Sequence, residues 1–149
     1  MRALLILALL AGPALAQDSE QAMQLYNKGV RQLEMGKGED ARKSFEAILK
    51  DYPTSAYAKL AKEGLAKPLV ASIQLVDIHP LSEKEIRKYF ENANARLMVG
   101  RVYDQEAADQ ARTMLAQLML RKKLRAKDIT VTAKDLPDRK IAVTITVIH

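Results

Sequence analysis

Cysteine is absent from all 149 residues. Neither a disulfide nor a cysteine-based structural metal site can form, and no lipid can be attached through a cysteine, so stability must come from packing. Histidine is scarce too, with only His79 and His149. A catalytic pair or metal site needs histidines convergent with carboxylates, and nothing in their spacing predicts that they meet; both read as structural or solvated. Phosphate loops of the G-x-x-x-x-G-K type and the G-x-S-x-G elbow are missing. The short glycine motif Gly36-Lys37-Gly38 is accounted for by a turn. Five serines occur, and most have structural explanations as caps or strand faces. Together these gaps argue against an enzyme and against any cofactor or bound metal. Aromatic residues make up only 5% of the chain, leaving few platforms on which single-stranded nucleic acid could stack.

Long apolar runs are also wanting, except at the start. Met1-Arg2 is a short basic beginning, Ala3 to Leu10 is unbroken apolar, and Gly12-Pro13 is expected to break any helix. Ala14-Leu15-Ala16 places small residues at the two positions a signal peptidase reads, ahead of polar Gln17-Asp18-Ser19-Glu20. This layout predicts a signal peptide over residues 1–16, cut after Ala16. The apolar stretch is too short to span a bilayer core, which needs ~20 residues. The expectation is an exported, periplasmic protein, soluble after cleavage.

Net charge is +6, and the signal removes one of those cations. A modest positive field favours anionic partners such as lipid head groups or acidic protein surfaces. Export argues against nucleic acid.

The character of the chain changes near Lys67-Pro68, which predicts one domain over 17–67 and another over 68–149. In the first, Ala22, Leu25, Tyr26, Val30 and Leu33 recur at helical spacing over 21–35. Gly36 to Gly38 is predicted to turn the chain. Glu39 to Asp51 then forms a second helix with Ala41, Phe45, Ile48 and Leu49 on one face. Tyr52-Pro53 stops it, because proline disfavours helix in the residue before it. Thr54 or Ser55 is expected to cap a third helix from Ala56 to about Ala66. Leu25, Gly29, Ala41, Phe45 and Pro53 fall at the intervals of a tetratricopeptide repeat, which this helical hairpin resembles. Lys28, Gln32 and Ile48 depart from its pattern. A single copy hides only part of its apolar surface. The remainder is expected against the second domain, a twin chain in a homo-oligomer, or a partner.

In the second domain Val70 to Ile78 reads as a strand, with Ala71, Ile73 and Leu75 on one face and Ser72 and Gln74 on the other. His79-Pro80 ends it. Ser82-Glu83-Lys84-Glu85 is a capping box opening a helix to about Ala93 that buries Ile86 and one or both of Tyr89 and Phe90. After a connector ending at Gly100-Arg101-Val102-Tyr103, Asp104 is expected to cap a helix from Gln105 to about Lys122. Its buried face is Ala107, Ala111, Met114, Leu115, Leu118 and Met119, with Arg112 turned outward. Ile129 to Ala133 and Lys140 to Val147 alternate as strands around a turn at Leu136-Pro137-Asp138. The order is β-α-α-β-β, and the fold class of the whole is α+β.

SIQLVDI, the capped EIRKYF helix, the connector with Gly100 and Tyr103, QEAADQARTMLAQL and the closing hairpin resemble a POTRA (polypeptide-transport-associated) domain over about 69–148. His79-Pro80 and the basic run at Leu124-Arg125 depart from that family's usual turns. KH-like and ferredoxin-like arrangements remain open, although the KH G-x-x-G loop is missing. The resemblance implies a scaffold or adaptor in envelope or outer-membrane protein assembly or transport. With the chain ending at His149 directly after its last strand, it would act beside a membrane protein or alone.

Two candidate surfaces follow. The resemblance implies a central last strand and an exposed edge at Ile129, Thr130, Val131, Thr132 and Ala133, where an extended polypeptide could be added. Thr130 and Thr132 are expected to face solvent, with Lys127 and Lys134 flanking. The second surface is the cluster Arg121, Lys122, Lys123, Arg125 and Lys127, an alternative contact for anionic lipid or glycan. Cations at a helix C-terminus also complement its dipole, which suffices to account for their placing.

Overall fold

A computed structural model describes residues 3–149, with side chains from Ala16 onward. Most of the predicted signal peptide, residues 1–16, therefore lies outside the described side chains, and Met1-Arg2 lies outside the described residues altogether. From Ala3 its backbone belongs to helix α1 (Ala3–Glu34). That helix passes Gly12-Pro13 instead of breaking there. Proline deletes one backbone donor, and the turns on either side keep their own bonds.

The protein is α+β, with five α-helices and a three-stranded mixed sheet among the described residues. It divides into two compact units after Ala66.

The first unit contains α1, α2 (Gly38–Asp51) and α3 (Ala56–Ala66). Its centre is one ring. Phe45 is buried with Ala22, Ala41, Ile48, Ala58 and Ala61, and Tyr26 tilts against it at 5.7 Å. A Cβ on Gly29 would fall 2.5 Å from Phe45 Cε1, and one on Gly64 would fall 2.8 Å from Phe45 Cε2. Glycine at 29 and 64 is thus what lets α1 and α3 close on the ring from both sides. Gln32 accepts a 2.7 Å bond from the buried hydroxyl of Ser44, so the polar departure at this crossing is satisfied from across it. The chain leaves α1 through Gly36 at φ 74, where Lys37 N–H returns to Gln32 O at 2.8 Å. Gly38, expected in the turn, is the first residue of α2. Ser55 does not cap α3 through its hydroxyl. Its carbonyl accepts from Ala58 N–H at 3.1 Å, and its Oγ has no hydrogen-bond partner among the described residues.

The second unit runs β1 (Leu69–Val76), α4 (Glu83–Asn92), α5 (Gln105–Arg121), β2 (Asp128–Leu136) and β3 (Lys140–Ile148). The order across the sheet is β1-β3-β2, with β1 parallel and β2 antiparallel to β3. The central strand is the most strictly alternating segment. Ile141, Val143, Ile145 and Val147 are buried, each burial contributing ~1.5–3 kcal/mol. They meet Ala107, Ala111, Met114, Leu115, Leu118 and Met119 of α5 and Ile86 and Phe90 of α4 in one core. The opposite side of the sheet carries the cross-strand pairs Thr130↔Thr146 and Thr132↔Thr144.

In β1 Ile73 and Leu75 face the core as expected, but Ala71 does not. The register slips between Val70 and Ser72, so Ala71 is exposed, while Leu69 and Val70 are buried and Ile73 and Leu75 pack on the core. An extra residue in one strand reverses the alternation beyond it, which a simple two-residue count cannot anticipate. The turn between β2 and β3 is a short 3₁₀ segment, Pro137–Arg139, with Asp138 and Arg139 at positive φ.

Candidate functional site

The two borders of this sheet are unlike. Along β1, Val70 N–H bonds Arg101 O at 2.9 Å, Gly100 N–H bonds Val70 O at 2.8 Å, and Tyr103 N–H bonds Pro68 O at 2.9 Å. Further along, the Arg87 guanidinium donates to Ile73 O at 3.0 Å. The connector 100–103 is itself anchored. Arg101 donates to Ala95 O at 2.9 Å and to Asn94 Oδ1 at 2.7 Å, though its Nε has no partner among the described residues. Arg96 ties the neighbouring turn to the start of α5 through Glu106 and through Asp104 at 2.8 Å. The hydrogen bond to Glu106, chiefly, raises the Arg96 pKa.

Along β2 the only strand neighbour among the described residues is β3. No other backbone segment among the described residues bonds its outer side. The strand is longer than expected, Asp128–Leu136, and includes all of Ile129 to Ala133. Three details bear on its use as an edge. Ile129 is buried and Val131 packs on the core, so their side chains serve the fold. Thr130 is half-buried rather than fully facing solvent, because it pairs with Thr146 on the uncovered side. Ile129 N–H is taken by Asp128 Oδ1 at 2.8 Å, a side chain rather than β3. Successive amides of a strand point in opposite directions, so Val131 and Ala133 share that outer border with Ile129. Asp128, Lys134 and Asp135 add charge within the strand itself, a common protection of exposed edges.

The basic cluster is divided in space. α5 ends in a Schellman turn: Lys123 N–H bonds Leu120 O and Leu124 N–H bonds Met119 O, both at 2.9 Å, with Lys123 at φ 58. The turn reverses the chain and splits the cations. On one side Lys122 Nζ lies 3.1 Å from Glu85 Oε1, and the Arg121 guanidinium sits 5.6 Å over the Tyr89 ring, so both are turned toward α4. Glu85 also holds the predicted capping box, accepting from Ser82 N–H at 3.0 Å while Ser82 Oγ accepts from Glu85 N–H at 3.2 Å. The Ser82 bond first, and Lys122 second, keep the Glu85 carboxyl below its ordinary pKa.

Arg125 and Lys127 lie on the other side, on the rim of a hollow of about 500 Å³ between the end of α5 and the start of β2. Ala116, Met119, Leu124 and Ile129 form its apolar floor. Leu120 stands on the rim, 65% exposed despite its size. Arg112, expected only to face outward, also lines it. No periodicity points to this hollow, since it depends on the turn at Lys123.

A correction concerns the histidines. His79 and His149 border one open depression with Asp77, and His149 Nε2 lies 2.8 Å from Asp77 O. Parallel pairing sets the C-terminal ends of β1 and β3 side by side, which the 70-residue gap in sequence conceals. No three His, Cys, Asp or Glu side chains group as metal ligands among the described residues. Nor is any described helix long and apolar enough to cross a membrane. No protein-family model matches the chain, and no curated protein is significantly similar to it.

Proposed function

We propose that this protein is a non-enzymatic adaptor that binds other polypeptides in extended form, by adding them as a fourth strand along β2. The observation that carries the reading is the inequality of the two borders: β1 is covered by the connector 100–103 and by Arg87, whereas β2 has no backbone neighbour outside β3 among the described residues. An uncovered border offers amides and carbonyls in a fixed row, so affinity comes from main-chain bonds and does not require reactive side chains. The likeness of the second unit to a POTRA domain, and of the first to a tetratricopeptide repeat, supports a role in envelope or outer-membrane protein assembly after export. That step rests on fold analogy and on the tripartite N-terminus.

The test is amide hydrogen exchange on the full chain with and without a panel of unstructured peptides. Added protection at Val131 and Ala133, but not at Val70, supports strand addition. Ala133→Pro deletes one outward amide without changing charge, and should weaken peptide binding while the circular dichroism spectrum is retained. Peptide protection confined to other residues, or unaffected binding by Ala133→Pro, rejects the reading.

A further inference from the structure

The free border of β2 begins at the apolar hollow. Ile129, second residue of the strand, is also part of the hollow's floor, so a segment laid along β2 would pass directly over it. The rim is strongly one-sided in charge. Arg112, Arg125 and Lys127 line it against a single acid, Asp128, whose Oδ1 is engaged by Ile129 N–H. Arg112 lies 3.7 Å from Asp109 in an exposed pair. The side chains of Arg125 and Lys127 make no hydrogen bond or ion pair among the described residues.

An apolar floor alone would accept any hydrophobic residue, and cations alone would attract any anion. Their juxtaposition beside a strand border is more selective. An added strand points every second side chain the same way, with about 7 Å between them. A bulky apolar side chain seated over Met119 and Ile129 therefore places the residue two positions away within reach of the long, unpaired Arg125 and Lys127 side chains.

We propose that this hollow selects, among extended polypeptides, those with an acidic residue two positions from a bulky apolar one. The inference rests on the strand-addition reading and adds sequence preference to it.

The experiment uses the full chain and two fluorescent peptides of alternating pattern, identical except for Asp or Asn two residues from a Phe, followed by anisotropy. The Asp peptide is expected to bind about fivefold tighter, the range of an exposed ion pair. In the double variant Arg125→Gln/Lys127→Gln that ratio should collapse toward one. Leu120→Ser should weaken both peptides by removing rim contact. Equal affinity for the two peptides in the unaltered protein overturns the preference while leaving strand addition standing. Failure of both peptides to bind counts against strand addition itself. Phosphatidylglycerol vesicles serve as a third probe. Vesicle binding abolished by the double variant, with no advantage for the Asp peptide, assigns the cations to a lipid surface and overturns the proposal.

Discussion

The two outer strands of the sheet begin from equal circumstances and end differently. Each pairs with β3 on one side and turns its other side outward. β1 is followed within the chain by a connector that folds back on it, held by Arg101 and Arg96. β2 is followed by a tight 3₁₀ turn straight into β3, a link too short to fold back on it. An edge is closed when the sequence after it is long enough to return and polar enough to be pinned. The difference teaches that the open border is a property of connectivity, not of strand composition.

The largest expected effect comes from unpinning the covered border. Arg101→Ala removes two donors and leaves Ala95 O without its partner, and should destabilise the second unit by about 2 kcal/mol in urea denaturation. It should also speed amide exchange at Val70 toward that of the β2 border. If Val70 stays protected, the connector closes the edge without help from Arg101, and the contrast between borders needs another cause.

A smaller effect, of opposite sign, is expected at the turn that shapes the open side. Lys123 adopts a left-handed conformation in which side chains other than glycine are disfavoured. Lys123→Gly should raise stability by about 1 kcal/mol. Since its role is in the backbone, peptide binding along β2 should change little. A large binding change would mean that Lys123 itself takes part in the site.

The smallest is a pH effect. The Glu85 carboxyl is held below its ordinary pKa, so folding favours its ionised form. Its contribution is present above the unfolded-state value and disappears as pH falls through the folded one. Glu85→Gln should therefore lower the melting temperature slightly near neutrality and have no effect in strong acid. An unchanged melting temperature at neutral pH would mean that solvent screening leaves the Lys122 and Ser82 contacts without net value.

What was readable beforehand was local or strictly periodic. Ser82 and Glu85 sit three residues apart, and the reciprocal bonds they imply are present. The apolar positions of α5 and β3 repeat at fixed intervals, and those residues are buried. What escaped reading depended on a single residue changing the phase or direction of the chain. The slip at Ala71 moved it out of the core, and the left-handed Lys123 parted Arg121 and Lys122, turned toward α4, from Arg125 and Lys127 at the hollow. Arg112 belonged to a site that exists only after that reversal. That His79 and His149 border one depression required knowing that β1 and β3 run parallel.

That parallel pairing has a consequence in time. The middle strand is the last to be synthesised, and its first neighbour precedes it by some seventy positions. A nascent chain can wind α4 and α5 early, but it cannot zip the sheet until residues 140–148 emerge. Widely separated pairings of this kind slow assembly. Until that final segment arrives, β1 and β2 both stay unmatched, and a shortened product lacking it would be a sticky intermediate instead of a working half-molecule.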